Sequence, residues 1–145
     1  MDEPAALARA TLAAERYWRR IEEEFGMLTA TQAGSLLGAT SAAAGLSLIA
    51  GKRRGRHVLG IERRQGVLYP GFQFDHACGA VLPVIADLRC IGEEHGYNEA
   101  SLIQWLCAPT TYLDDGRGVR RPVDLLATDP DRVSAVAAND WGVQW

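Results

Sequence analysis

The chain has few cysteines and lacks a secretory signal, and these absences exclude several classes of protein. It contains three cysteines among 145 residues, an odd number with no repeated spacing. The disulfide framework of a small secreted domain is therefore not expected. The opening residues Met1-Asp2-Glu3 lack the basic and apolar regions of a secretory signal. We expect a cytoplasmic protein whose thiols are free.

Charged residues are missing from residues 25–51, a stretch long enough for a membrane-spanning helix and followed by the basic run Lys52-Arg53-Arg54. The same stretch contains five glycines and seven serine, threonine or glutamine residues. Its hydrocarbon content is too low for a helix that crosses a bilayer. The sequence therefore predicts no membrane contact.

Residues that carry metal or nucleophilic chemistry are sparse. Four side chains are potential zinc ligands, but they show neither a Cys-x-x-Cys nor a His-x-x-x-His pair: His76, Cys78, Cys90 and His95. Cys107 follows a Trp-Leu pair in a helical pattern, where a small apolar side chain is expected, so a buried thiol is favoured over a nucleophile. No catalytic residue and no metal site are predicted.

A phosphate-binding loop is also disfavoured. Five residues separate Gly45 from Gly51-Lys52, whereas the Walker pattern has four and places Ser or Thr after the lysine, where this chain has Arg53. The acids Asp114 and Asp115 precede a glycine in a polar loop, which is typical of a turn. We expect a protein that is not an enzyme and has no cofactor.

The net charge of −3 conceals an uneven distribution. Residues 1–25, 26–74 and 75–145 carry net charges of −2, +5 and −6. Such asymmetry indicates different partners for different segments. We predict three parts, an N-terminal helix over 1–25, a second unit over 26–75 and a third over 76–145.

The first part has the pattern of one amphipathic helix that begins near Pro4 and ends near Phe25. Its large apolar residues recur at steps of three and four, and Gly26 provides a stop. A helix of this kind packs on its own protein or on a second copy. A homodimer is therefore one expectation.

The second part has the pattern of a winged helix-turn-helix. Thr29 and Gln32 have capping-box spacing, Gly38 suits a turn, and Ser41 is placed to cap a second helix from Ala42 to about Ala50. Two strand-like runs follow, residues 57–63 and 67–69, around a turn that contains Gly66. The whole chain is predicted to be mainly α-helical with one β-hairpin.

In such a unit the second helix would lie in the major groove of DNA and the hairpin would contact phosphates. The predicted DNA-binding residues are Ser41, Ser47, Lys52, Arg53, Arg54, Arg56, Arg63 and Arg64. The helix has almost no side chain that reads a base edge, so binding through phosphates is favoured over sequence-specific recognition. An ordinary solvated basic surface and a helix-turn-helix retained as scaffold are the alternatives.

The third part begins with apolar residues at helical spacing over residues 81–95. Four short motifs follow in a fixed order: Leu102-Ile-Gln-Trp-Leu106, Pro109-Thr-Thr-Tyr-Leu113, Arg121-Pro-Val-Asp-Leu-Leu126 and Asp129-Pro-Asp-Arg-Val133. This segment resembles the toxin-binding domain of the Xre/MbcA/ParS antitoxin family. The likeness covers about the last half of the chain.

The resemblance implies a non-enzymatic antitoxin that binds and neutralises a toxin of the RES-domain type, which consumes NAD. Regulation of its own operon through operator DNA is an optional second role. The resemblance suggests Arg121, Arg132, Trp141 and Trp145 as toxin contacts. The two tryptophans are aromatic anchors of the kind that dominate interfaces, although they could equally fold back on their own domain. The alternative function is a stand-alone winged-helix regulator of DNA without a toxin.

Overall fold

The structure is a computed structural model that describes residues 3–114, 116 and 118–142. The helices are α1 (Glu3–Phe25), α2 (Ala30–Leu36), α3 (Ala42–Arg54), α4 (Val84–Glu94), α5 (Glu99–Cys107) and α6 (Pro130–Trp141). The strands are β1 (Met27–Thr29), β2 (Ile61–Arg63), β3 (Gly66–Pro70), β4 (Phe74–Asp75) and β5 (Ala80–Val81). The predicted fold class, mainly α-helical with a winged helix-turn-helix, is confirmed.

Helices α2 and α3 form the helix-turn-helix, and local capping fixes where each begins. The amide of Thr29 donates to the Gln32 side chain at 2.9 Å, and the amide of Gln32 donates back to the Thr29 hydroxyl at 3.1 Å. Between the helices, a Cβ on Gly34 would lie 2.3 Å from the Cα of Gly45. The two helices can therefore approach this closely only with glycine at position 34.

The wing is a three-stranded antiparallel sheet in the order β1-β3-β2, with Leu28 opposite Tyr69 and Glu62 opposite Val67. The hairpin of β2 and β3 is the predicted one. The sequence did not predict β1, nor a second hairpin in which β4 pairs with β5. That second hairpin spans residues 74–81, so the predicted boundary between residues 75 and 76 falls inside it.

Successive residues of β3 face opposite sides of the sheet, as the pleat requires. Tyr69 packs in one apolar cluster with Ala33 and Ile49 of the helix-turn-helix. Leu68 lines a crevice on the other side together with Trp18 of α1. The sheet therefore separates α1 from the α2–α3 pair.

The larger apolar core joins the C-terminal helices to the residues that precede the wing. Ile85, Leu106 and Val133 belong to it, and Leu59 and Ile61 extend it toward the sheet. A fully buried amide, Gln73, supports this connection because its side chain accepts from the Leu59 amide at 2.7 Å and donates to the Leu59 carbonyl at 2.8 Å. The Gln73 side chain therefore satisfies a backbone segment that has no strand partner.

Helix α3 ends at Arg54, one turn later than the sequence predicted. Lys52, Arg53 and Arg54 thus form its last turn and do not follow the helix. Positive charge in that turn is favourable beside the negative end of the helix dipole. Within the part of the chain that the structure describes, no helix is long and apolar enough to cross a membrane.

Candidate nucleic-acid interface

The exposed face of α3 has small side chains and one arginine. Ser47 and Arg54 are seven residues apart and therefore lie on the same face, with Ala43 four residues before Ser47. All three are exposed. This face allows close approach of another surface but offers only Ser47 and Arg54 for polar contacts.

Arg53, the neighbour of Arg54, is half-buried and is bound by an acidic side chain. Its guanidinium donates to both carboxylate oxygens of Glu99 on α5, from Nε at 3.1 Å and 3.2 Å and from Nη2 at 2.9 Å. This hydrogen bonding raises the pKa of Arg53 despite partial burial, which acts in the opposite direction. Arg53 therefore joins α3 to α5 through a bidentate ion pair, and its contact with a phosphate stays a prediction.

Arg89 on α4 completes the same joint. Its Nη1 donates to the carbonyl of Val58 at 2.7 Å and lies 3.6 Å from the Glu99 carboxylate. Burial lowers the pKa of Arg89, and the nearby Glu99 partly offsets that effect. Glu99 also accepts the amide of Gly60 at 2.7 Å. We call Arg53, Arg89 and Glu99 the α3–α5 joint.

Two other predicted phosphate contacts also have acidic partners. Arg63 lies 2.8 Å from Glu15 of α1. Arg56 lies 2.7 Å from Glu93, and both of these side chains are well exposed. An exposed pair contributes little to stability and opens readily. Arg56 therefore remains accessible to another anion, whereas Arg63 mainly fixes α1 beside the wing.

The remaining cations have no ion-pair partner among the residues that the structure describes. They are Lys52, Arg54 and Arg64, and all three are exposed. Lys52 lies about 140° around α3 from Ser47, at roughly 100° per residue, so it belongs to the flank of the helix near His57. Ser41 accepts the amide of Ala44 at 3.1 Å and acts as the helix cap. We call Ser47, Arg54 and Arg64 the open basic surface.

A groove of about 630 Å³ runs between α3 and β3 beside this surface. Leu46 and Val67 line it, and Tyr69 and Arg54 contribute polar groups. Leu46 is 49% exposed. Arg54 on α3 and Arg64 at the hairpin turn are both exposed.

The predicted toxin contacts near the C-terminus have mixed surroundings. Trp141 is 6% exposed, and its ring packs 4.5 Å from that of Tyr97 and 4.8 Å from that of Trp105. Trp105 donates its indole N–H to Asp140 at 2.7 Å. Trp141 therefore belongs to the core of its own domain, the second of the two expectations for it. Trp145 lies outside the described residues.

Arg121 connects the C-terminal region to α1. Its guanidinium donates to Glu24 through Nη1 at 3.0 Å and to Asp124 through Nη2 at 3.0 Å, and it lies over the ring of Phe25 at 5.6 Å. Hydrogen bonding to Arg121 lowers the pKa of Glu24. Burial acts to raise the pKa of Asp124, but Arg121 outweighs it and the pKa is lowered. Arg121 is occupied by these contacts, whereas Arg132 is half-buried.

The thiols and histidines form no reactive cluster. Burial raises the pKa of Cys107 to about 12, so this thiol stays protonated at neutral pH. Cys78 is exposed, and a hydrogen bond to Asp75 raises its pKa as well. No group of three metal-ligating side chains is present in the described ranges.

Sequence reasoning missed the α3–α5 joint. Glu99 follows the helix cap Asn98, where an acid is ordinary, and it is 46 residues from Arg53. No local spacing connects the two. The one available signal was the run of three basic residues at the end of α3. Such a run indicates that a distant acid could pair with one of them.

Comparisons with known proteins add one solved structure. The NMR structure of Rv2175c is similar to this chain, with a TM-score of 0.63, 26% sequence identity, and coverage of 79% of this chain and 80% of that chain. No protein-family model matches the chain, and no curated protein matches it.

Proposed function

We propose that this protein binds double-stranded DNA through α3 and the β2–β3 hairpin, chiefly by contacts to phosphates. The observation that carries the proposal is the division of the cations in residues 52–64. Two of the six, Arg53 and Arg63, are held by acids that fix the fold, and Arg56 forms an exposed pair with Glu93. Lys52, Arg54 and Arg64 stay exposed on the elements that a winged helix-turn-helix presents to DNA.

The character of the α3 surface supports phosphate contacts over base readout. Side chains that discriminate bases in the major groove are mainly Arg, Lys, Asn and Gln. The outward face of α3 has Arg54 alone of these, with Ser47 and alanines beside it. Affinity should therefore depend weakly on sequence and strongly on salt.

A salt titration tests the proposal. We expect the affinity for a 20-base-pair duplex of mixed sequence, followed by fluorescence anisotropy, to fall linearly on a plot of log K against log salt. Arg54→Ala and Arg64→Ala should each reduce the slope by about 0.9, the contribution of one phosphate contact. Arg132→Ala on α6 removes the same charge elsewhere and is the matched control. No binding by the parent protein at about 50 mM salt would refute the proposal.

A toxin-binding role for the C-terminal region is the second candidate, and an exposed loop favours it. An isolated bridge closes this loop, with the Thr110 amide donating to the Arg120 carbonyl at 3.0 Å. Tyr112 and Val119 next to the bridge are 47% and 45% exposed. Exposed apolar side chains in the segment that resembles an antitoxin domain fit a partner of the RES-domain type. The chain would then act as an antitoxin, with DNA binding as its second activity.

Co-expression with a RES-domain toxin encoded beside this chain tests the second candidate. We expect a complex that survives co-purification and protects cells from NAD depletion. Tyr112→Ala should weaken that complex, whereas Trp141→Ala should lower thermal stability first, because Trp141 is in the core. Absence of any complex with the unaltered chain would remove the antitoxin proposal and leave the DNA-binding regulator.

A further inference from the structure

Helix α1 extends well past the tip of the wing. Its C-terminal end lies at the base of the sheet, where the Gly26 carbonyl accepts the amide of Gly71 at 2.9 Å, directly after β3 ends. Ten residues toward the N-terminus, Glu15 pairs with Arg63 beside the hairpin turn. Residues 3–14 therefore continue beyond the turn for about 18 Å at 1.5 Å per residue.

The surroundings agree with this direction. Every residue from 4 to 14 is exposed, and Leu7 is 67% exposed. Trp18 and Arg19, in contrast, line the crevice with Arg63 and Gln65 of the wing. The first half of α1 thus stands free on the side of the molecule to which the hairpin turn points.

The charges of α1 are sorted along its length. Residues 4–20 contain four arginines and one glutamate, and that glutamate is already paired with Arg63. Residues 22–24 are three successive glutamates at the base of the sheet. Asp2 and Glu3 add two negative charges at the start of the chain. The net charge of −2 for residues 1–25 therefore conceals a basic stretch over residues 4–20, which runs alongside the wing and past its tip.

Three of the four arginines share one face of the helix. Arg9, Arg16 and Arg20 are separated by seven and four residues, the spacing of a single stripe. All three are exposed, and Arg20 lies over the ring of Tyr17 at 5.9 Å. The stripe is about 16 Å long, a distance along which one DNA strand carries about five phosphates.

We propose that the basic stretch of α1 is a second DNA-contacting element, in which Arg9, Arg16 and Arg20 bind the sugar-phosphate backbone of the duplex flanking the wing. This inference rests on the proposed DNA-binding function and extends its footprint. Charge complementarity and the placement of the stripe, with Arg9 beyond the wing tip and Arg16 and Arg20 alongside the wing, select duplex DNA as the occupant. A second copy of the chain lacks that argument, because residues 4–20 would bring together two surfaces of the same positive sign.

The test compares two triple variants. In R9A/R16A/R20A, alanine preserves helix propensity and removes the charges, whereas R9K/R16K/R20K preserves both. We expect the alanine variant to reduce the salt slope of duplex binding by about 2 to 3 and to weaken binding at least tenfold near 0.1 M salt. The lysine variant should keep the parent slope. Circular dichroism checks that each variant retains its helix.

The outcomes separate this inference from the proposed function. If the parent protein binds DNA and both triple variants keep its slope, the α1 contact is refuted while the α3 and wing contacts stand. If the alanine variant keeps its slope and Leu7→Ser converts a dimer of the 15.7 kDa chain to a monomer by light scattering, the free half of α1 instead pairs with a second copy. A loss of slope in R132A equal to that in the alanine variant would also overturn the inference, since charge alone would then explain the effect.

Discussion

The α3–α5 joint and the open basic surface each contain one of two adjacent arginines, and these two arginines have opposite roles. Arg53 meets Glu99 and has little freedom left, while Arg54 meets solvent. An arginine that is ion-paired in this way stabilises the fold and is not available to bind a ligand. Adjacent arginines in a basic run therefore cannot be assigned a common role from their charge.

The largest effect should follow from removing the acid at the centre of the joint. Glu99→Ala leaves Arg53 and the Gly60 amide without their acceptor and removes the carboxylate that lies 3.6 Å from Arg89. Fully buried pairs broken this way cost roughly 3–5 kcal/mol, and partial exposure of 18% to 27% for Glu99 and Arg53 reduces that to about 2 kcal/mol. Chemical denaturation measures the change. A loss below about 0.5 kcal/mol would mean that the joint does not hold α3 against α5.

A smaller effect should distinguish the two adjacent arginines. Arg53→Ala is expected to cost about 1 to 2 kcal/mol of unfolding free energy, because it removes a charged hydrogen-bond donor from Glu99. Arg54→Ala should change the unfolding free energy by less than about 0.5 kcal/mol, because it removes an exposed side chain that has no ion-pair partner among the described residues. Duplex affinity should respond in the reverse order after correction for the folded fraction. Equal changes in stability would contradict the division of roles.

The smallest effect concerns the loss of folding stability at low pH, to which the ion pairs of Arg121 contribute. Glu24 and Asp124 have lowered pKa values when folded. Their contribution is therefore fully present above their ordinary pKa values of 4.5 and 3.8, and it is lost as pH falls through the lowered folded values. Arg121→Met should flatten the loss of stability between about pH 5 and pH 2.

Thermal melts at several pH values measure this loss of stability at low pH. Arg132→Met is the matched control because Arg132 has no ion-pair partner in the ranges that the structure describes. Its curve should stay parallel to that of the parent protein. Parallel curves for Arg121→Met would show that Arg121 does not stabilise the two carboxylates.

Features set by neighbours in the chain could be predicted from the sequence. The Thr29–Gln32 capping box and the Ser41 cap depend on residues three positions apart, and both are present. The hairpin turn before Gly66 is also local, because that glycine has a φ of 116° that other residues rarely adopt.

Features set by distant partners could not be predicted. Arg121 and Glu24 are 97 residues apart, and nothing near Arg121 indicates that it will bind α1. Strands β4 and β5 have two residues each, too few to show alternation. The sequence predicts that α3 ends near Ala50, whereas the helix runs through Gly51 to Arg54, and Arg53 in its last turn binds the distant Glu99.

The most direct test of the central claim is an amide chemical-shift titration of the ¹⁵N-labelled chain with a short mixed-sequence duplex at low salt. We predict saturable shifts in α3 from Ser47 to Arg54 and at Arg64 and Gln65 of the hairpin turn, with little change at Val133 in the core of the C-terminal region. Saturable shifts confined to the loop around Tyr112 and Val119, or no saturable shift at all, would contradict the claim that the open basic surface binds DNA.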